Sequence, residues 1–210
     1  MKVLLVNGSP HKRGCTYTAL KEVAEILNKE EVDTEIFQVG KKPLTGCTAC
    51  RKCSETGYCF FDDKVNEFIK KAEDFDGFVF GAPVHYAAVN GAMTSFMDRA
   101  FYAPLKAGKD TFYLKPAAAV VSARRAGTTT TFDQLNKYFT LNQMPVVSSR
   151  YWNMVYGSNP EEVKEDKEGL QTMRILGRNM AFLLKCKEAG IRAGVDLPEN
   201  EEITFTNFIR

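Results

Sequence analysis

Residues 2–27 read KVLLVNGSPHKRGCTYTALKEVAEIL, and their pattern decides the fold class. Lys2–Val6 is a short, nearly continuous apolar run, as expected of a strand covered by helices on both faces. Gly8-Ser9-Pro10 stops it, because glycine permits unusual φ and proline cannot continue a ladder. Gly14 allows a second close turn, after which Leu20, Val23, Ala24 and Leu27 recur at helical spacing. The loop therefore ends at a helix N-terminus, where unpaired N–H groups and the positive end of the helix dipole meet. Ser9, Thr16 and Thr18 add hydroxyls and Lys12 and Arg13 add charge, which together make the chemistry of a phosphate cradle. The stretch is neither a Walker A loop nor the Gly-x-Gly-x-x-Gly dinucleotide fingerprint. The competing reading is an ordinary strand-to-helix turn built from ordinary turn residues.

Outward from this unit, strands and helices alternate. Asp33–Val39 reads as a second strand. Asp62-Asp63 offers a cap for a helix over 64–73. Phe78-Val79-Phe80 is a third strand, left through Gly81-Ala82-Pro83. A helix is expected over 94–102, a fourth strand over Ala117–Val121, and a helix over 129–141 that Thr128 and Thr129 can cap. Val146-Val147-Ser148 begins a fifth strand. Asn159-Pro160 starts a long helix over 161–186, with Cys186 as a core residue. This alternation predicts an α/β fold, a three-layer open sheet of five parallel strands joined by right-handed crossovers.

In such sheets ligands sit outside the C-terminal strand ends. The loops that meet there begin near Gly8, Gly81 and Ser122. The second offers Pro83, Val84, His85 and Tyr86 as flat or apolar surface for a planar heterocycle, or simply packs its own aromatics. The third brings Arg124 and Arg125 with their fixed charge, Gly127 for close backbone approach, and Thr128 at a helix start.

The 210 residues fit one domain with a full core, and a net charge of +2 gives no electrostatic case for nucleic acid. No apolar run is long enough to span a membrane, and the chain enters a strand without a signal-peptide pattern, so a cytoplasmic location is expected. Four of the six cysteines crowd together, which argues for metal or redox chemistry over structural disulfides. Cys15 opens the first helix: its thiol is either activated there or small, buried and inert.

With these loops in hand the chain resembles the NADPH-dependent FMN reductase family. The resemblance rests on Gly8-Ser9-Pro10, Gly14-x-Thr16, Gly81-Ala82-Pro83-Val84-His85-Tyr86 and Arg124-Arg125-Ala126-Gly127-Thr128-Thr129, with Tyr151-Trp152-Asn153-Met154 also similar. It implies a flavodoxin-like fold of strand order 2-1-3-4-5 over residues 1–190. From its residues, the tail 191–210, with the Glu-rich stretch Leu197–Ile203, either wraps a neighbouring subunit or is simply a mobile end. The resemblance further implies FMN, with its phosphate in the first loop and its ring between the other two. His11 stands where the family commonly has Arg, and Cys15 where it has Asn. His11 still donates to phosphate, and Cys15 would serve through its backbone N–H. The implied binding residues are Ser9, His11, Gly14, Cys15, Thr16, Thr18, Pro83, Val84, His85, Tyr86, Ser122, Arg124, Arg125, Ala126, Gly127 and Thr128. NAD(P)H or ferredoxin would donate electrons, a small molecule would accept them, and the chain would form a homodimer or homotetramer.

Cys47, Cys50, Cys53 and Cys59 follow at spacings of three, three and six residues, so four thiolates converge with little loop entropy. The pattern suits a 4Fe-4S cluster and is similar to the compact motif of the iron–sulfur flavoproteins, a branch of the same family. A structural zinc uses the same four sulfurs, and so does a metal-free redox loop.

Overall fold

The computed structural model describes residues 1–199 together with 201, 204, 206 and 208. In chain order the elements are β1 (Lys2–Asn7), α1 (Cys15–Lys29), β2 (Asp33–Gln38), α2 (Cys53–Thr56), α3 (Lys64–Ala72), β3 (Gly77–His85), β4 (Ala88–Val89), α4 (Gly91–Lys106), β5 (Ala117–Ala123), α5 (Thr128–Leu141), β6 (Met154–Tyr156), α6 (Pro160–Glu165) and α7 (Lys167–Arg192). The sheet runs β2-β1-β3-β5-β6 with every one of these pairs parallel, and β4 turns back antiparallel on the end of β3. With β4 set aside this is the expected flavodoxin-like order.

Alternation along the strands divides the core. Val3, Leu5 and Val79 face α1 and α7 through Leu20, Val23, Met173 and Leu176. Leu4, Val6, Phe78 and Phe80 face α3, α4 and α5 through Phe68, Phe96 and Phe139. The second face is aromatic: Phe68 touches Phe37, Phe78, Phe80, Phe96 and Phe112, all edge-on or offset. Burying rings in such pairs adds about 0.5–1.5 kcal/mol each beyond area alone, which makes this face a rigid backing for what α4 and α5 carry.

Four expectations are corrected. First, Gly81-Ala82-Pro83 does not end the third strand, and β3 continues to His85 with Pro83 in register with Ser122. The β1 ladder stops at Asn7 against Gly81, so β3 is an edge beyond that point and Pro83 costs no ladder bond. Second, Val146 makes only an isolated bridge to Ala117, and the edge strand forms later, at Met154–Tyr156. Between them Ser149 Oγ lies 2.7 Å from both the Tyr151 carbonyl and Asn153 Oδ1, two acceptors for its one proton, where the chain turns away from the sheet. Third, the long helix is two. Asp166 leaves helical geometry, and its Oδ1 caps α7 through the Gly169 N–H at 2.9 Å. Fourth, Cys186 is exposed. The buried stripe of α7 includes Met173, Leu176, Met180 and Leu184, and a position two residues on points about 200° around the helix.

Helix α7 extends to Arg192, and beyond it the Pro198 carbonyl accepts from the Tyr113 hydroxyl at 3.1 Å. Asn200, Glu202 and Ile203 of the expected tail lie outside the described residues. Among the described residues no helix is long and apolar enough to cross a membrane.

Candidate functional site

The three loops meet at the C-terminal rim of the sheet and are tied to one another. Asn7, at the end of β1, accepts the Ser9 N–H at 3.1 Å and donates to Gln38 Oε1 at 2.8 Å. Gln38 in turn reaches the Ser9 carbonyl at 2.7 Å. The Gly8 N–H bonds the Gly81 carbonyl at 2.8 Å, and Asn90 Nδ2 bonds the Gly8 carbonyl at 3.0 Å. A Cβ at Gly8 would lie 2.5 Å from Met93 Sδ and 3.0 Å from the Gly81 carbonyl oxygen, so glycine lets the loop sit close against α4 and β3. Thr16 Oγ1 and Ser122 Oγ pair at 2.7 Å, joining the first loop to the third. Gly127, at φ +92°, brings its backbone so close that a Cβ there would lie 2.5 Å from Ala87 Cα, joining the third loop to the second.

Three of the helices that begin at this rim share one property, while α6, which starts just after Gly157 beside Cys15, does not. Helices α1, α4 and α5 start at Gly14, Asn90 and Gly127, and none has a side-chain cap. Helices α3, α6 and α7 are capped by Asp63, Asn159 and Asp166. The first N–H groups of a helix lack intrahelical acceptors, so three sets of donors with their positive dipole ends gather at the rim. Thr128 and Thr129 therefore do not cap α5. Thr128 lies inside it, with its hydroxyl 3.1 Å from the Tyr156 hydroxyl.

The tip between β3 and β4 is strained. Tyr86 and Ala87 form a two-residue turn with φ of +49° and +59°, where Asn-Gly is usual. Tyr86 is fully exposed there and His85 is exposed beside it, while Pro83 and Val84 are half-buried.

The predicted residues thus divide. Ser9, Thr16 and Ser122 are buried and spend their hydroxyls on the loops themselves. Thr18 donates to the Gly14 carbonyl. Cys15 is half-buried, its thiol 3.5 Å from the Gly157 carbonyl, and burial pushes that thiol up. His11, Arg124, Arg125 and Ala126 are exposed. Among the described residues neither arginine has an acidic partner. Sequence reasoning missed Asn7, Gln38, Asn90 and Tyr156. The signal for Asn7 was an amide closing an apolar strand. Asn90 is 1% exposed and its Oδ1 has no partner among the described residues, an acceptor left over beside the first loop.

The four clustered cysteines line a single small cavity with Arg51 and Arg99. Cys53 is buried, Cys59 half-buried, and Cys47 and Cys50 exposed. Ala49 and Arg51 take left-handed φ of +53° and +60°, which folds the loop back over the cavity. The Lys52 N–H holds the Cys50 thiol below its ordinary pKa, whereas burial and then the neighbouring sulfurs raise Cys53. Asn66 clasps Cys59 through both its N–H (2.7 Å) and carbonyl (2.9 Å). Arg99, on the buried face of α4, reaches Cys59 Sγ at 3.1 Å, and sequence reasoning missed it. Among the described residues no three Cys, His, Asp or Glu side chains meet in metal-ligand geometry. The donor set nonetheless suits a thiolate-bound metal centre, with four soft ligands beside two guanidinium groups and an amide donor that offset anionic charge.

The family described as NADPH-dependent FMN reductase matches residues 1–159. An iron–sulfur flavoprotein of Methanocaldococcus jannaschii is 33% identical over 194 residues, covering 88% of this chain and 98% of the relative. One from Archaeoglobus fulgidus is 28% identical over 191 residues, covering 87% and 97%. In fold, the chain is similar to RosB, solved with a formylated riboflavin phosphate intermediate, at a TM-score of 0.67 and 15% identity over 100% of this chain and 94% of that one. The family match spans all three rim loops as well as the cysteine stretch, and the chain belongs to the NADPH-dependent FMN reductase family, with iron–sulfur flavoproteins among its relatives.

Proposed function

We propose that the chain is an FMN-dependent oxidoreductase whose cysteine loop holds a 4Fe-4S cluster. The observation that carries the first half is the gathering of three uncapped helix N-termini at one rim, tied by the Thr16–Ser122 and Asn90–Gly8 hydrogen bonds and by the close backbone approach of Gly127 to Ala87. The N–H groups at the start of α1 would hold the phosphate, with Ser9, His11, Gly14, Cys15, Thr16 and Thr18 shaping the cradle. Pro83, Val84, His85 and Tyr86 would flank the ring on one side, and Ser122 with Arg124–Thr128 on the other. N–H donors at the start of α5 would face negative charge developing on the ring. Arg124 and Arg125, without acidic partners, would meet the phosphates of NAD(P)H. When bound, FMN supplies hydride and single-electron chemistry, which no side chain of this rim provides. Cys47, Cys50, Cys53 and Cys59 would hold the cluster and relay single electrons to a small-molecule acceptor. Residues 1–190 would form the flavin domain of a cytoplasmic homodimer or homotetramer, with 191–210 at a subunit interface.

A second reading, an electron carrier reduced by ferredoxin with no substrate of its own, is favoured by the exposure of Cys47 and Cys50, which opens the cysteine site to a protein partner. The test is anaerobic purification followed by a visible spectrum and assays for FMN, iron, sulfide and zinc. Flavin bands bleached rapidly by NADPH or NADH support the enzyme, and reduction by ferredoxin alone supports the carrier. A colourless protein that takes up no FMN contradicts both. Zinc in place of iron, or neither metal, removes the cluster.

A further inference from the structure

We infer that Arg99 is a positioning residue of the cysteine site, which fixes the loop and directs a permanent positive charge at the Cys59 sulfur. The inference rests on the cluster reading above and deepens it.

Arg99 is 2% exposed, on a helix face otherwise made of Phe96, Met97, Ala100 and Ala103. A charge in such a place is costly unless every donor is used. All five are. Nε bonds Cys59 Sγ at 3.1 Å. Nη1 bonds the Thr45 carbonyl at 3.1 Å and Asp63 Oδ2 at 2.8 Å. Nη2 bonds the Phe61 carbonyl at 3.1 Å and Asp63 Oδ1 at 3.0 Å. The acceptors run from Thr45 to Asp63, so one side chain brackets the whole four-cysteine stretch. A lysine has three donors on one atom and cannot reproduce this fork.

A clamp alone needs only the carbonyls and Asp63. The fifth bond goes to sulfur, a weak acceptor as a thiol and a strong one as a ligand thiolate. Donors to ligand sulfurs and nearby positive charge make an iron–sulfur centre easier to reduce. Asp63 opposes this by sharing the same guanidinium. Helix α4 also carries Asn90, which holds the Gly8 carbonyl about 14 Å away along the axis, so one rigid helix sets both the first flavin loop and the cysteine loop.

The experiment is an anaerobic redox titration of the iron–sulfur signal in the reconstituted full chain, comparing wild type with Arg99→Gln, Arg99→Lys and Asp63→Asn. At the wild-type midpoint, Arg99→Gln is expected to lower the ratio of reduced to oxidised centre about tenfold, which is 59 mV for a one-electron couple. Asp63→Asn should move it the other way, because the freed charge falls on the sulfur, and it leaves an amide to cap α3. Arg99→Lys should lie between wild type and Arg99→Gln. A purely structural clamp moves Arg99→Gln and Asp63→Asn in the same direction, or neither, and either result overturns the inference. If Arg99→Gln does not fold, the direction of the Asp63→Asn shift alone decides.

Hydrogen exchange in the metal-free chain reads the loop separately. The Cys59 and Val65 amides, held by Asn66 and Asp63, should exchange at least tenfold faster in Arg99→Gln while β1 amides stay unchanged. Unchanged exchange overturns the positioning role. A wild-type chain that takes up no iron ends the cluster reading, and exchange then still decides whether Arg99 holds the loop.

Discussion

The rim and the cysteine loop are built in opposite ways. At the rim the free groups are backbone N–H donors of uncapped helix starts, and side chains serve to lash the loops together: Thr16 to Ser122, Asn90 to Gly8, Asn7 to Gln38 and Ser9. At the cysteine loop the cavity is lined by four cysteine side chains, while the backbone is gathered by the buried Arg99 and by Asn66. Backbone donors are fixed by the helices that present them, so the rim is preorganised. The cysteine loop has one four-residue helix of its own and draws its order from α3 and α4. Site chemistry and site rigidity thus come from different parts of the chain in the two regions.

The largest expected effect probes the arginine of the cysteine loop. Arg99→Met should cost about 3 kcal/mol, toward the low end for breaking a buried ion pair because the Asp63 side chain is 30% exposed. Urea unfolding measures it, and a loss below about 1 kcal/mol would mean the loop is held by something else. At the rim, Gly127→Ala forces a left-handed alanine, costing about 1–2 kcal/mol, and drives its Cβ onto Ala87. FMN affinity should fall at least tenfold by fluorescence titration, with iron content unchanged. A matching fall in iron would show that the two regions are not independent.

A double-mutant cycle with Thr16→Ala and Ser122→Ala should return a coupling of about 1 kcal/mol, because each single change strands a buried hydroxyl. Additive losses would mean that this pair does not tie the loops. The smallest effect concerns the strut between α5, which starts at the rim, and α4, which carries Arg99. Tyr138 donates to Asp98 across that gap. Burial first, and then the Asp98 carboxylate, raise the Tyr138 pKa above its ordinary value of 10.0. The folded chain therefore keeps a proton that the unfolded chain releases, so stability present below about pH 10 is lost as the pH rises past it. Tyr138→Phe should make that alkaline decline shallower in pH-dependent melts, and an unchanged slope would remove Tyr138 as its source.

The rim was readable from sequence because backbone geometry leaves compositional marks. Gly8, Gly14 and Gly127 stand where the chain must turn or come close, and apolar runs precede each loop. The partners of those loops were not readable. Gln38 is an ordinary strand residue until the β1–β2 register sets it beside Asn7. Pro83 looked like a strand end because the early stop of β1, which frees that edge, is a tertiary fact. The broken fifth strand and the kink at Asp166 depend on side-chain bonds between residues whose pairing no periodicity shows. Arg99 did leave a mark, a charge on the apolar stripe of α4 between Phe96 and Ala103, and that mark is legible once the stripe is known to be buried.

The most direct measurement is a parallel titration of the flavin-free protein with FMN and with riboflavin. If uncapped N–H groups at α1 receive the phosphate, FMN should bind at least a hundredfold more tightly, about 2.7 kcal/mol, and high salt should narrow the gap. Equal affinities, or tighter binding of riboflavin, would contradict the assignment of the first loop as the phosphate cradle.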